Sequence, residues 1–343
     1  MQVDASTINS RADNLVERIG HLLTSARQNV ATAVNTAMVY TYFEIGRYIV
    51  EDEQGGKERA EYGRGVLNAV SSRLTAQFGP GWSAENLRQM RKFYTLYSNF
   101  QATGLDFSLS WSHYLILTHV DDPDARRFYE IEAKKCQWSK RQLQRQIGSG
   151  LYERLALSRN KEEVLRLSRE GQTIEKPADI IKDPLVLEFV GLKPQTDFSE
   201  TQLESAIITR LQDFLLEMGK GFLFEARQKR FTFEERHFYI DLVLYNRLLQ
   251  CYVLVDLKMD DLTHQDLGQM QMYVNYYDRY VKQDFEKPTI GILLCERKND
   301  ALVELTLPRE ANIYAQQYAL CLPDKKMLQQ KLNEWLSELN SCE

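Results

Sequence analysis

Cysteine is sparse in this chain and poorly spaced. Its five thiols, Cys136, Cys251, Cys295, Cys321 and Cys342, form no CxxC pair. That excludes a zinc ribbon and a disulfide framework. Cys251, Cys295 and Cys321 lie in apolar runs and read as small buried hydrophobes, which suits a reducing cytoplasm. No stretch approaches the roughly eighteen consecutive apolar residues of a membrane span. The opening MQVDASTINSRADN lacks a basic region followed by an apolar one, so no secretory leader is expected. A cationic excess is missing too. Lys+Arg 43 against Asp+Glu 48 leaves a formal net charge of -5. This argues against a coat-like nucleic-acid binder but leaves room for an enzyme with a local basic surface. No repeat or low-complexity tract occurs, and His113 and His119 lack metal-ligand spacing.

What remains is an ordinary globular composition, 43% hydrophobic and 27% charged over 343 residues, enough for two cores. Leu15, Ile19, Leu22, Ala26, Val30, Ala33 and Ala37 recur at three or four residues. They predict one or two long helices, docked within their domain or paired in a homo-oligomer. Gly55-Gly56 reads as a break, and Gly79-Pro80-Gly81 as a helix stop. A helix after Ser83 carries Leu87, Met90 and Phe93 beside Arg88, Arg91 and Lys92. Short helices follow, and Ser139 opens a basic polar run that includes Lys140, Arg141 and Arg145. That pattern is like a helix-turn-helix or winged-helix unit. These six cations are the expected nucleic-acid contacts, since phosphate binding needs clustered Lys and Arg. The same runs also fit a plain solvated face. The polar stretch around Gly171 and Pro177 reads as a linker. The expected division is a mainly helical domain over 1–165, a linker over 166–184, and a second domain over 185–343.

The second half changes character. Ser199, with Gln202 three residues on, opens a helix over Glu200 to Met218. Strand-like runs follow at 222–233, 238–245 and 251–258, then a helix at 266–282 and strands at 289–295 and 318–322. This order predicts an α/β sandwich around a mixed sheet. Two of these runs contain charges that an apolar strand does not tolerate unpaired: Asp241, and Asp256 with Lys258. By alternation Asp241 shares a face with Tyr239 and Val243, against Phe238, Ile240, Leu242 and Leu244, while Asp256 and Lys258 project together. The short loop makes the two strands a hairpin. If Asp241 lies opposite Asp256, their Cβ atoms are roughly 5 Å apart. Carboxylates that close repel unless a cation neutralises them. Mg2+ (or Mn2+) suits such a pair. The lysine can then orient or deprotonate a water and balance phosphate charge. Gln269 and Tyr273, four apart, stack on one face of the following helix. Glu204 is a further candidate metal ligand through water.

Phe238-Tyr239-Ile240-Asp241-Leu242, Val255-Asp256-Leu257-Lys258 and Gln269-Met270-Gln271-Met272-Tyr273 resemble the motifs of PD-(D/E)XK nucleases. Adding Ser110-Trp111-Ser112-His113-Tyr114, Trp138-Ser139-Lys140-Arg141-Gln142-Leu143, Lys182-Asp183-Pro184 and Arg227-Gln228, nearly the whole chain resembles the bacterial YhcG family. The resemblance implies a DNA-binding N-terminal region and a restriction-endonuclease-like C-terminal domain. It implies Asp241, Asp256 and Lys258 as catalytic positions, with Glu204, Gln269 and Tyr273 supporting. Ile240 stands where the superfamily name has proline. The implied function is a Mg2+-dependent DNA endonuclease in DNA processing, repair or defence against foreign DNA. The alternatives are a non-catalytic DNA-binding or assembly module on the same fold, and an RNA-directed hydrolase.

Overall fold

A computed structural model describes the chain except residues 1–4, 56–59, 99–105, 158–160, 183, 193–197, 299, 309–310 and 342–343. Gly56, Asp183 and Cys342 thus lie outside the described residues. The chain divides into two units, 1–126 with 133–140, and 127–132 with 141–343.

The first unit is helical: α1 (Ala5–Gly55), α2 (Ala60–Phe78), α3 (Ala84–Tyr97), α4 (Trp111–Leu117), and the outer parts of α5 (Pro123–Lys135). Its core is aromatic. Phe93 lies 5.8, 5.1 and 5.0 Å from the rings of Phe43, Phe107 and Tyr114. A Cβ on Gly46 would run into the carbonyl of Met90, so glycine lets α1 and α3 touch backbone to backbone. No strand occurs among the described residues of this unit, so the wing of a winged helix is not found there.

The second unit continues with α6 (Lys140–Gly148), α7 (Leu151–Leu157) and α8 (Lys161–Glu170), then β1 (Leu185–Val186), α9 (Glu200–Thr209) and α10 (Leu211–Met218). Strands β2 (Phe222–Phe233), β3 (Arg236–Asn246) and β4 (Cys251–Asp261) precede α11 (His264–Tyr280), β5 (Ile290–Arg297), α12 (Asp300–Thr306), β6 (Ile313–Ala319) and α13 (Lys325–Ser341). The sheet order is β1-β6-β5-β4-β3-β2. Neighbours are parallel from β1 to β4 and antiparallel from β4 to β2. This is the mixed sheet expected, with shifts of detail. The predicted helix over 200–218 breaks at Arg210 (φ -114, ψ 32). The last strand starts at Ile313, not 318, and two-residue β1 was too short to anticipate.

Each face of the sheet has its own apolar layer. Leu203, Ile207, Phe214 and Met218 of α9 and α10 cover Leu242, Leu244, Val253, Val255, Leu257, Ile292 and Leu294. On the other side Leu267, Met270, Tyr273 and Val274 of α11 cover Ile240, Val243, Leu254 and Leu293. Gly291 makes that second contact close: a Cβ there would sit 2.7 Å from Met270 Sδ. Ile240 and Leu242 therefore lie on opposite faces, against the simple alternation expected. The phase slips at Asp241, and on β2 Gln228 has a left-handed φ of 46. The register Arg227↔Leu242 and Lys229↔Ile240 puts Gln228 opposite Asp241.

The stretch 166–184 is no loose linker. Leu167, Gln172, Asp179, Ile180 and Lys182 are buried in the second unit. Beside them, Glu217 of α10 is enclosed by cations. Its oxygens lie 2.6 Å from Arg154 Nη1 and 3.1 Å from Arg145 Nη1, and its carbonyl accepts from Lys182 Nζ. Arg145 also pairs with Glu188 at 2.9 Å. Arg145, expected to meet nucleic acid, is thus spent on two carboxylates and holds the fold together instead.

Candidate active site

The candidate site forms where β3 and β4 part. Their ladder runs from Asn246↔Cys251 to Leu242↔Val255 and stops. The next pair in register would be Asp241 and Asp256, the opposition the sequence suggests. Beyond the last rung, Asp241 Oδ2 accepts the Leu257 N–H at 2.7 Å. Its other oxygen accepts Gln228 Nε2 at 2.8 Å. The same Gln228 amide donates to Glu204 Oε2 at 2.7 Å, and Arg227 Nε donates to Glu204 Oε1 at 2.8 Å.

Asp256 is treated differently. It is buried, and Lys258 Nζ lies 2.8 Å from its Oδ2. Among the described residues no other group donates to that oxygen. Burial first, and Asp241 second, push the Asp256 carboxyl up to about 7 against the pull of Lys258. Burial works against the Lys258 ammonium, but Asp256, Glu200 and Asp266 outweigh it and hold the group above its ordinary value. Lys258 therefore stays a cation at neutral pH.

Gln269 and Tyr273 meet as their helical spacing predicts. Gln269 Nε2 donates to Tyr273 Oη, which donates to the Tyr239 carbonyl at 2.9 Å. Burial, then Asp256, push the Tyr273 phenol up to about 12, so it remains a donor. The pair braces β3 two residues before Asp241.

Among the described residues no three His, Cys, Asp or Glu side chains gather as a metal group. Mg2+ needs only one or two carboxylates, because it keeps several waters. Asp241 and Asp256, the second buried with the Lys258 ammonium beside it, fit that demand. Glu204 fits it less well than expected, since both of its oxygens are occupied. It acts on Asp241 through Gln228. That bridging role of Gln228 was missed from sequence. The available signal was the polar run Arg227-Gln228-Lys229-Arg230 in a strand that begins and ends on phenylalanine. Of the other expected contacts, Arg88 pairs with Glu85 at 3.3 Å and Arg91 with Glu53 at 2.8 Å. Lys92, Lys140 and Arg141 are exposed.

A mixed sheet carrying Asp, Asp-x-Lys and a helical Gln-x-x-x-Tyr in one corner defines a domain of the PD-(D/E)XK nuclease class. The family description "YhcG PDDEXK nuclease domain" matches residues 178–333, and "DUF1016 N-terminal domain" matches 18–154. A protein of Escherichia coli (strain K12), "Putative nuclease YhcG", is 38% identical, the match covering 91% of each chain. The chain belongs to this YhcG family. A solved structure described as "crystal structure of a repair endonuclease from Pyrococcus abyssi" aligns over 38% of this chain and 50% of its own, with 20% identity and a TM-score of 0.25.

Proposed function

We propose that the chain is a divalent-metal-dependent DNA endonuclease, using Mg2+ or Mn2+. The observation that carries this reading is the buried carboxyl of Asp256, set beside Asp241 with the Lys258 ammonium 2.8 Å from its Oδ2. Asp241 and Asp256 would hold the ion, which when bound polarises a phosphoryl oxygen and stabilises a leaving alkoxide. Hydrolysis joins a water oxygen to phosphorus and breaks a phosphorus–oxygen bond. Lys258, kept protonated, steadies the negative charge that gathers on the phosphate. Gln228, held by Glu204, fixes one Asp241 oxygen. Gln269 and Tyr273 fix the strand that carries Asp241. Lys92, Lys140 and Arg141 are candidate DNA contacts, while Arg88 and Arg91 would first have to leave their carboxylates. A homo-oligomer is part of this reading, supported by the exposed apolar residues Leu15, Ile19, Leu22 and Val30 along α1. A reducing compartment such as the cytoplasm suits the free Cys136, Cys251, Cys295 and Cys321. Among the described residues no helix is long and apolar enough to cross a membrane.

The test is a cleavage assay of the full chain on duplex, single-stranded and branched DNA, and on RNA, with Mg2+, Mn2+ or EDTA. Metal-dependent DNA cleavage is expected. Metal-free cleavage, or cleavage of RNA alone, contradicts the reading.

A further inference from the structure

The β2–β3 hairpin continues past the point where β4 leaves it. β4 pairs with Leu242–Asn246 only, whereas β2 follows β3 out to Phe233↔Arg236. The outer half is thus a two-stranded ribbon that begins at Asp241. Its tip turns through Glu234 and Glu235, both with positive φ (47 and 62), the backbone that matches hairpin twist. One face is anchored: Phe231 stacks on Tyr276 at 4.1 Å and meets Tyr273 at 5.6 Å.

The other face is open and carries Arg230. Register pairs Arg230↔Tyr239 and Thr232↔His237 place these four side chains together, all exposed. Arg230 Nη2 lies 3.3 Å from His237 Nε2, and Thr232 Oγ1 lies 3.0 Å from His237 Nδ1. Arginine can only donate, so His237 accepts at Nε2, carries its proton on Nδ1 and donates to Thr232. Tyr239, two residues before Asp241, leaves 48% of its surface exposed. No carboxylate pairs with Arg230, or with Arg236, which the register Phe233↔Arg236 places at the tip on the side of Phe231, among the described residues. The contrast is with Arg88, Arg91 and Arg145, each already neutralised. Lys229, on the anchored side, has only a loose contact with Glu225 at 3.8 Å.

We propose that this ribbon is the DNA-binding arm of the nuclease domain. Arg230 and Arg236 neutralise phosphates, the exposed face of Tyr239 lies against a sugar or base, and the strand is led along the hairpin to Asp241. A two-stranded ribbon is one of the shapes that DNA grooves admit. Acidic Glu234 and Glu235 mark the outer limit of the contact. The inference rests on the nuclease reading of the adjoining site, yet binding can be measured apart from cleavage.

The experiment is anisotropy of a short labelled DNA duplex with the full chain in EDTA, over a range of salt. The double variant Arg230→Ala/Arg236→Ala is expected to bind about tenfold more weakly. Its log–log salt slope should fall by about 1.8, the loss of two phosphate contacts. Arg230→Lys/Arg236→Lys should restore much of both, and the melting temperature should match wild type in each. Equal affinity and slope for the alanine variant overturn the arm, even if the enzyme cleaves DNA. No DNA binding by wild type, or binding of the matching RNA alone, overturns it too. Arginine-dependent DNA binding by a chain that cleaves nothing with metal leaves the arm standing and removes the nuclease reading.

Discussion

Two clusters of charge lie buried in the second unit, one around Glu217 and one around Asp256, and they are built on opposite terms. Glu217 has donors on both oxygens: Arg154, Arg145 and the Val186 N–H at 3.1 Å meet them. Asp256 has fewer, with a second carboxylate nearby and Lys258 as the cation at its Oδ2. The consequence is visible in their proton affinities. Burial disfavours both carboxylates, but Arg154, Lys182 and Arg145 bring Glu217 down to about 2, while Asp241 helps take Asp256 up to about 7. Lys182, near the carboxylates of Glu217 and Glu132 and the two arginines, is lowered to about 8, chiefly by burial. A saturated cluster closes a fold; an unsaturated one is open to a cation and a substrate.

That contrast can be broken from either side. The largest expected effect is at the open cluster. Asp256→Asn should lower metal-dependent cleavage by about 10³-fold or more, the several kcal/mol that metal stabilisation of charge represents. Its urea midpoint should be unchanged or higher, because a buried, weakly compensated charge is removed. A variant that unfolds instead would make Asp256 a structural residue.

Glu217→Gln should do the reverse, costing about 3–5 kcal/mol of stability because buried cations lose their partner. Equilibrium denaturation measures this, and a loss under about 1 kcal/mol would mean the cluster is not the closure it looks like.

The acid limb sharpens the same point. Glu217 has a folded value near 2 against an ordinary 4.5, so its contribution is fully present above 4.5 and fades as pH falls towards 2. The difference corresponds to about 3 kcal/mol, and Glu217→Gln should flatten stability against pH over that window. An acid limb identical to wild type would contradict the assignment.

Smaller still, Gln228→Ala should cut cleavage by about 10–100-fold, as is usual when a group that orients a metal-binding carboxylate is lost. The melting temperature should stay close to wild type. Full activity would make the Glu204–Gln228–Asp241 chain incidental. The smallest effect belongs to the exposed helical pair. Arg88→Ala should change stability by no more than about 0.5 kcal/mol, and a much larger change would place Arg88 in a role that its Glu85 contact does not describe.

The clusters were unequally legible in the sequence. Asp241, Asp256 and Lys258 stand out because they are charges in apolar strands, and alternation correctly aligned Asp256 with Lys258. Glu217 drew no attention, since one acid among Leu215 and Met218 on a helix looks like surface. Its partners come from 145, 154 and 182, separations that no local pattern links. For the same reason Arg145 read as a phosphate contact and the 166–184 stretch as a linker. Gln228 was hidden by a backbone event: the phase slip opposite Asp241 needs a left-handed residue, which periodicity cannot see. The kink at Arg210 escaped likewise, because an apolar stripe continues across it.

The most direct measurement is calorimetric titration of Mn2+ into the full chain and three variants, Asp241→Ala, Asp256→Asn and Glu217→Gln. Binding by wild type and by Glu217→Gln, with none by the two aspartate variants, is the expected result. Equal binding by Asp256→Asn, or no binding by folded wild type, would contradict a cation site at the parting of β3 and β4.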